Sequence, residues 1–434
     1  MKKILMSIDR TLRRAGLMLM ILLVTTPAAA ESLQQAWEIA LKVDHTLKAA
    51  NKDTASAMEQ LEAAKSVRLP GVSLSAGYTL LDDEPAIKAN LGALSTEFAI
   101  AESSSYNYMA TSTLPLYTSG RISSGIDAAG ALHQASLSLL ANRTIELKLR
   151  VAEAYVSVLR VAQGLKVAQS HVTSLEAHAN DVENLHEQGM VSRNELLTAR
   201  VALADARQGA IKTQNALDIT QSAYNRLLGR PLNQKVSLDD LKPETHDESV
   251  DSLTELALGR RHELLVLQDQ IKALNHQAAG IRAETGPQLG LSGGYAYLDN
   301  QHLVNEGQWF VSLGVQWKLF DGGVVRHRAS ATEHQAMAVQ AHYDDLVTQV
   351  ALQVRQYWLD VQETRKRIRV TDEAISQAEE NLKVSRDRYE NGLSTHTEVL
   401  DAETLRTLSQ NNHANAVYDA VLATFRLKRV VAEL

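Results

Sequence analysis

The chain is written twice. LPLYTSGR at 114–121 aligns with WKLFDGGV at 317–324, an offset of 203 residues. That offset holds without a gap through Tyr155 and Trp358 to two turns, HEQGMVSRNELLTAR (186–200) and YENGLSTHTEVLDAE (389–403), where Gly189 answers to Gly392. Upstream, LPGVSLSAGYTLLD (69–82) resembles GPQLGLSGGYAYLD (286–299) at an offset of 217. The difference falls between about Leu81 and Ser105. Loops absorb insertions and framework does not, so the first copy has a longer surface loop there. Each copy reads helix, two strands, long helix, turn, helix. The first repeat is placed at 31–228 with its hairpin at about 70–118, and the second at 252–434 with its hairpin at about 287–321. Between them, 229–251 is polar and carries Pro231 and Pro243.

The strands are marked by a period of two. Val72, Leu74, Ala76, Tyr78 and Leu80 fall on one face, and Ser73, Ser75, Gly77 and Thr79 on the other. In the second copy Leu289, Leu291, Tyr295 and Tyr297 alternate with Gly290, Ser292 and Gly294. The last strand is expected to carry Trp309, Val311, Leu313, Val315, Trp317 and Leu319 on one face. Trp309 and Trp317 would then lie ~26 Å apart at ~3.3 Å per residue. Aromatic residues bracketing an apolar band are what membrane barrels place at their two interfaces. A soluble sandwich strand would show the same alternation.

The helices carry a heptad seam. Leu147, Val151, Ala154, Val158, Val161, Leu165, Ala168, Val172, Leu175, Ala179 and Val182 follow a 4,3 spacing. Val350, Val354, Tyr357, Val361, Ile368, Ile375, Ala378 and Leu382 continue it in the second copy. Long helices are expected from about Ser123 to His186 and from Arg326 to Tyr389, each ~95 Å at 1.5 Å per residue. Those at 32–67, 192–228, 252–284 and 395–430 are about half as long. Two short helices end to end match one long one, which suggests a cylinder wall.

Residues 1–30 read as an export signal. Lys2, Lys3, Arg10, Arg13 and Arg14 precede the apolar run AGLMLMILLV, and Ala28 and Ala30 precede Glu31, the expected mature start. A membrane anchor is the alternative. No later stretch reaches the ~18 apolar residues of a membrane helix, so any later entry into a membrane would be as strands. The absence of cysteine removes disulfides, thiolate metal sites, a cysteine nucleophile and a lipid-modified N-terminal Cys. A net charge of −7, spread along the chain, leaves no footprint for nucleic acid. With no phosphate loop, nucleophile motif or paired ligand spacing, neither an enzyme nor a cofactor is expected. His327, His334 and His342 are spaced too widely along one helix for one ion.

Four strands cannot close a barrel. The smallest membrane barrels have about eight, and lipid does not tolerate open sheet edges. Copies of the chain must complete the sheet. Two copies give eight strands and a filled interior, whereas three give twelve and a water-filled lumen. The small, polar inner faces favour the larger ring, and closed rings are the usual homo-oligomers. The expected fold is mixed and mainly α: a long α-helical barrel continuous with a four-strand contribution to a 12-stranded trimeric transmembrane β-barrel.

The export signal, the duplicated plan and the turns EQGMVSRNELLTAR and ENGLSTHTEVLDAE resemble the TolC family of outer-membrane factors. The resemblance covers nearly all of 31–434, and EVLDA is its most specific part. It implies a homotrimer in the outer membrane of a Gram-negative bacterium, its barrel among outer-membrane lipid and its helical tunnel in the periplasm. It also implies a passive exit duct of a tripartite efflux pump or type I secretion system, gated at its periplasmic end. The partners would be a periplasmic adaptor protein and an inner-membrane transporter. A trimeric coiled-coil structural or adhesive envelope protein without a pore explains the heptads but not the duplicated amphipathic hairpins.

The two turns hold the candidate site. SRNE (192–195) and THTE (395–398) both fit the S/T-x-x-E capping box, which gives Glu195 and Glu398 a structural role. Glu398 and Asp401 share a helix face. Capping does not reach Asp401, whose counterpart is Thr198. The resemblance implies an acidic gate and selectivity ring at Glu398 and Asp401, with Glu195 contributing from the other turn and Tyr389 as a gate link. Such crowded carboxylates would attract cations. Where some relatives carry a mouth-closing arginine, this chain has Ser394. Gly189–Met190 and Gly392–Leu393 fit a glycine C-cap followed by a hydrophobic contact, and by resemblance they are adaptor docking points. Pro70 and Pro287 break the helices ahead of the strands.

Overall fold

The computed structural model describes residues 30–92, 94–244 and 248–434. Except for Ala30, the expected export signal lies outside the described residues. In chain order the elements are α1 (Leu33–Val43), α2 (His45–Ser66), β1 (Gly71–Leu80), β2 (Ala86–Leu91), β3 (Leu94–Ala99), β4 (Ser104–Tyr117), α3 (Arg121–Glu187), α4 (Arg193–Leu227), α5 (Val250–Arg260), α6 (His262–Arg282), β5 (Gln288–Leu298), β6 (Gly307–Gln316), α7 (Val324–Glu390) and α8 (His396–Val430).

Local capping decides where several helices begin. The single helix expected over 32–67 is two, because Asp44 leaves helical geometry (ψ 124°) and its carboxylate accepts the Leu47 N–H to start α2. Aspartate is among the strongest N-cap residues, and here it overrides an apolar periodicity that runs on past it. The helix expected over 252–284 is also two. Arg261 is extended (ψ 121°) and buried, and its guanidinium is held by Glu263 and Gln353.

Four strands form one antiparallel sheet in the order β1–β4–β5–β6. The register sorts the side chains by polarity across the whole sheet. Leu74 is opposite Ala110, Ala110 opposite Tyr295, and Tyr295 opposite Trp309, all on one face. Ser73, Thr111, Gly294 and Phe310 line up on the other, where Ser73 and Thr111 share a 2.8 Å hydrogen bond. Phe310 interrupts an otherwise small and polar row. The apolar face gathers aromatic rings in one band: Tyr78 meets Tyr106 (4.8 Å), Tyr108 meets Tyr297 (5.9 Å) and Tyr295 meets Trp309 (5.2 Å).

Two strand expectations change. The longer first loop is not irregular, since β2 and β3 pair within it as a separate hairpin joined by a Lys88–Glu97 ion pair of 2.9 Å. The last strand stops at Gln316, so Trp317 and Leu319 leave the face they were expected to extend. The Trp317 indole N–H donates instead to the Thr285 carbonyl (2.9 Å). The chain must turn there, because Asp321 accepts the N–H groups of Gly323 and Val325 and starts α7.

α3 and α7 have 67 residues each, and α4 and α8 have 35 each. At ~1.5 Å per residue the long pair span about 100 Å. Along α3, α2 and α6 pack on the half nearer the sheet, and α4 and α8 on the half nearer the turns. The heptad seam is buried at Leu147, Val151, Val158, Leu165, Leu175, Ala179 and Val182, and again at Val350, Val354, Val361, Ala378 and Leu382. The middle of α3 is tied to Glu31 and to the segment between the repeats. Tyr155 donates to the carbonyls of Glu31 (2.6 Å) and Asp239 (2.8 Å), and Arg230 grips the Glu31 carboxylate with two bonds of 2.7 and 2.8 Å. Among the described residues no helix is long and apolar enough to cross a membrane.

Candidate functional site

Both long helices end at a glycine because the chain must reverse there. Gly189 (φ 73°) and Gly392 (φ 70°) take the left-handed conformation that lets the final carbonyls be closed off. Met190 N–H donates to Leu185 O (2.9 Å) and Leu393 N–H to Arg388 O (2.8 Å). Met190 and Leu393 are nonetheless 70% and 69% exposed. Both turns therefore present an apolar tip to solvent.

The returning helices start on hydroxyl caps. Ser192 and Glu195 form a full capping box. Thr395 accepts the Glu398 N–H (3.4 Å), but its hydroxyl, not its backbone N–H, meets the Glu398 carboxylate (3.4 Å). The second box is thus half built, which leaves Glu398 less committed to capping than Glu195. Glu398 and Asp401 are both exposed, while Val399, Ala402 and Glu403 between and beside them are buried.

Below the tips, Ala179 and Val182 of α3, Leu196 and Ala199 of α4, Leu382 and Tyr389 of α7, and Val399 and Ala402 of α8 form one core. Tyr389 is buried in it and donates from its hydroxyl to Glu195 Oε2 (3.3 Å). Burial, and then the Glu195 charge and hydrogen bond, push the phenol up to about 12. The structure thus joins two of the expected gate residues, Glu195 and Tyr389, across the two turns. Glu398 and Asp401 lie apart from that link, open to solvent. Tyr389→Phe is expected to keep the ring packing and weaken this end by about 1 kcal/mol, the usual net worth of one hydrogen bond. Amide hydrogen exchange over 389–403 would measure the loss.

Two buried clusters here went unread in the sequence. Glu403 is fully buried and meets Arg386 and Ser174 closely, Arg406 at 3.1 Å and His171 at 3.8 Å, so it ties α8 to α7 and α3. Burial alone would raise its carboxyl. His171, Ser174, Arg406 and Arg386 more than offset that and hold it at about 2. One turn nearer the tips, His178 Nε2 and His396 Nδ1 share a hydrogen bond of 2.9 Å, with the rings stacked 4.9 Å apart. Both clusters had a sequence signal. His396, Val399, Glu403 and Arg406 follow helical spacing, so a carboxylate sits inside an apolar stripe.

A family model described as outer membrane efflux protein matches residues 37–230 and 253–433. The outer membrane protein TolC of Vibrio cholerae is 22% identical over 93% of this chain and 91% of its own length. The alkaline protease secretion protein AprF of Pseudomonas aeruginosa is 25% identical over 65% of this chain, which spans 60% of AprF. The crystal structure of the outer membrane protein VceC of Vibrio cholerae superimposes with a TM-score of 0.77 at 18% identity, covering 92% of this chain and 95% of that one.

Proposed function

This chain belongs to the outer membrane efflux protein family, and on that premise we propose that three copies of it form the exit duct of an efflux pump or a type I secretion system. It is an outer-membrane protein of a Gram-negative bacterium with a periplasmic helical tunnel. The sheet carries the proposal. Its apolar face is bare, with Val72, Leu74, Trp309 and Val311 each about four-fifths exposed. Among the described residues β1 and β6 each pair on one edge only. Neither feature suits a free monomer, and lipid would not accept the open edges. Three such sheets joined edge to edge give twelve strands, the apolar face outward and the serine and glycine face lining a wet lumen.

The division of the chain into two repeats, 31–228 and 252–434, suits this assembly. Each repeat delivers one hairpin to the barrel and one pair of helices to the mouth, with 229–251 around the middle. Trp309, within the tyrosine band, and Trp317, at the return to the helices, would mark the two lipid interfaces. At the other end the exposed tips Gly189–Met190 and Gly392–Leu393 would dock a periplasmic adaptor, which couples the duct to an inner-membrane transporter. The Tyr389–Glu195 link would hold the mouth shut, and Glu398 and Asp401 would line it. The names of the relatives allow both cargo classes. AprF is named for protease secretion, and the family for efflux.

Purified protein in planar bilayers tests the reading. A small, cation-selective current blocked by divalent cations is expected. A folded trimer that resists carbonate extraction yet passes no current would overturn it, in favour of an envelope protein without a pore.

A further inference from the structure

The stacked pair His178 and His396 has a further consequence. Each ring is buried, at 5% exposure. Their nitrogens are 2.9 Å apart and their planes 9° from parallel. Tyr389 lies across both, at 5.6 Å from His178 and 6.1 Å from His396. His396 Nε2 is buried with no hydrogen-bond partner. Two neutral rings carry one N–H each, and the partnerless His396 Nε2 suits the tautomer in which His396 Nδ1–H donates to His178 Nε2. A further proton would be costly, because it would put an N–H on His396 Nε2 with no acceptor or break the bond between the rings, and two more would make them stacked like charges.

The pair also sits where its loss has leverage. His178 belongs to α3. His396 opens α8, in the same turn as Glu398 and about a turn and a half before Asp401. We propose that the His178–His396 pair is a proton-released latch: neutral, it clamps the start of α8 to α3 and keeps the mouth closed; protonated, it lets that turn and its carboxylates swing away. This rests on the reading of these turns as the gated mouth of the duct. The latch adjoins the Tyr389–Glu195 link, whose ring lies across both imidazoles, but it joins α8 to α3 where that link joins α7 to α4.

The groups facing the pair are few. From α3 itself there is Ser174, which meets Glu403 and Arg386 rather than the rings. From α4 comes Glu195, which favours a proton on His396, and from α7 Arg386, which disfavours one on His178, beside the neutral Tyr389. From α8 comes Glu403, which favours one on His178 but is committed to Arg386 and Arg406. The balance goes against the proton. Burial, and then His396 and Arg386, hold His178 down at about 4, and burial lowers His396 against the pull of Glu195. The other histidines of this region face acceptors or hydroxyls. His171 meets Thr407 (3.0 Å) and Glu403, and His186 meets the Val191 carbonyl (3.1 Å).

The sign follows from linkage. A histidine depressed in the closed state resumes its ordinary value when released. Acid therefore favours release from about pH 6.5 downward, until the depressed value is passed. Between about pH 7.5 and about pH 5.5, above the ordinary carboxylate range, the open population is expected to rise about tenfold for one histidine released.

The test compares wild type with His178→Gln, His396→Gln, in which two amides can still hydrogen-bond but cannot gain charge. His178→Gln alone serves as the second variant. Two readouts are taken on the folded trimer at both pH values: bilayer conductance, and amide exchange over 389–403 corrected for the intrinsic pH dependence of exchange. Wild type is expected to lose protection and gain current in acid, and the variants to do neither. Equal acid responses in wild type and variants, or none in wild type, would overturn the latch. Absence of current with an acid loss of protection confined to wild type would keep the latch and sink the duct.

Discussion

Glu403→Ala is expected to destabilise the turn end of the molecule by about 3–5 kcal/mol, the usual cost of breaking a buried ion pair from one side. The carboxylate is fully buried and serves two guanidinium groups at once. Its removal leaves Arg406, at 16% side-chain exposure, with a charge and no counter-charge, and costs Ser174 and Arg386 a shared acceptor. Most of the loss comes from the groups left behind, not from the attraction given up. Glu403→Leu combined with Arg386→Met and Arg406→Leu should therefore recover most of the stability. Asp401→Ala, on the exposed side of the same turn, should cost little. The pH dependence has a definite sign. The Glu403 carboxyl is held at about 2, below its ordinary 4.5, so its contribution is present above 4.5 and is lost as pH falls from there toward 2. Guanidinium unfolding followed by helical circular dichroism would measure each step. A cost below 1 kcal/mol for Glu403→Ala, with the arginines intact, would show that solvent screens this cluster.

Much of the framework was legible because it is periodic. The strand faces around Val72–Leu80 and Leu289–Tyr297 follow from alternation, and the seam from Leu147 to Val182 from heptads. The features that were missed are those in which one residue outweighs a pattern. Asp44 splits a helix because a cap at Leu47 N–H outcompetes continued periodicity. The aromatic band is spread over four strands, and only the register brings Tyr106, Tyr108 and Tyr295 beside Tyr78, Tyr297 and Trp309. The turn residues Gly189 and Gly392 were found because their chemistry is local. Tyr389 meeting Glu195 depends on two turns 203 residues apart folding side by side, which the resemblance suggested and spacing alone does not. Glu403 and the histidine pair were passed over because charged and imidazole side chains within apolar stripes read as noise until their partners on other helices are known.

Glu398→Ala with Asp401→Ala is expected to abolish most of the cation preference of the duct while leaving the fold intact. The reason lies in how little either carboxylate does for the protomer. Both are exposed, and Glu398 meets only the Thr395 cap, at the edge of hydrogen-bond range. Losing that contact should cost less than about 1 kcal/mol, since Thr395 still caps the helix. In a three-fold ring the same two residues would place six carboxylates around one opening. Charges lining a narrow aqueous path with low-dielectric walls raise the local cation concentration by roughly tenfold or more. A comparable fall in the cation-to-anion permeability ratio is expected, together with loss of block by divalent cations, which need several carboxylates at once. Glu195→Gln should behave differently, because Glu195 accepts from Tyr389 and is half buried. It should change how often the mouth opens, not what passes. Reversal potentials in a salt gradient separate the two effects, since they depend on selectivity and not on open probability. If the double variant kept the wild-type reversal potential, Glu398 would be left with the Thr395 cap and the positive end of α8, Asp401 beyond the first turn would be left with neither, and the selectivity of the duct would have to reside elsewhere along its wall.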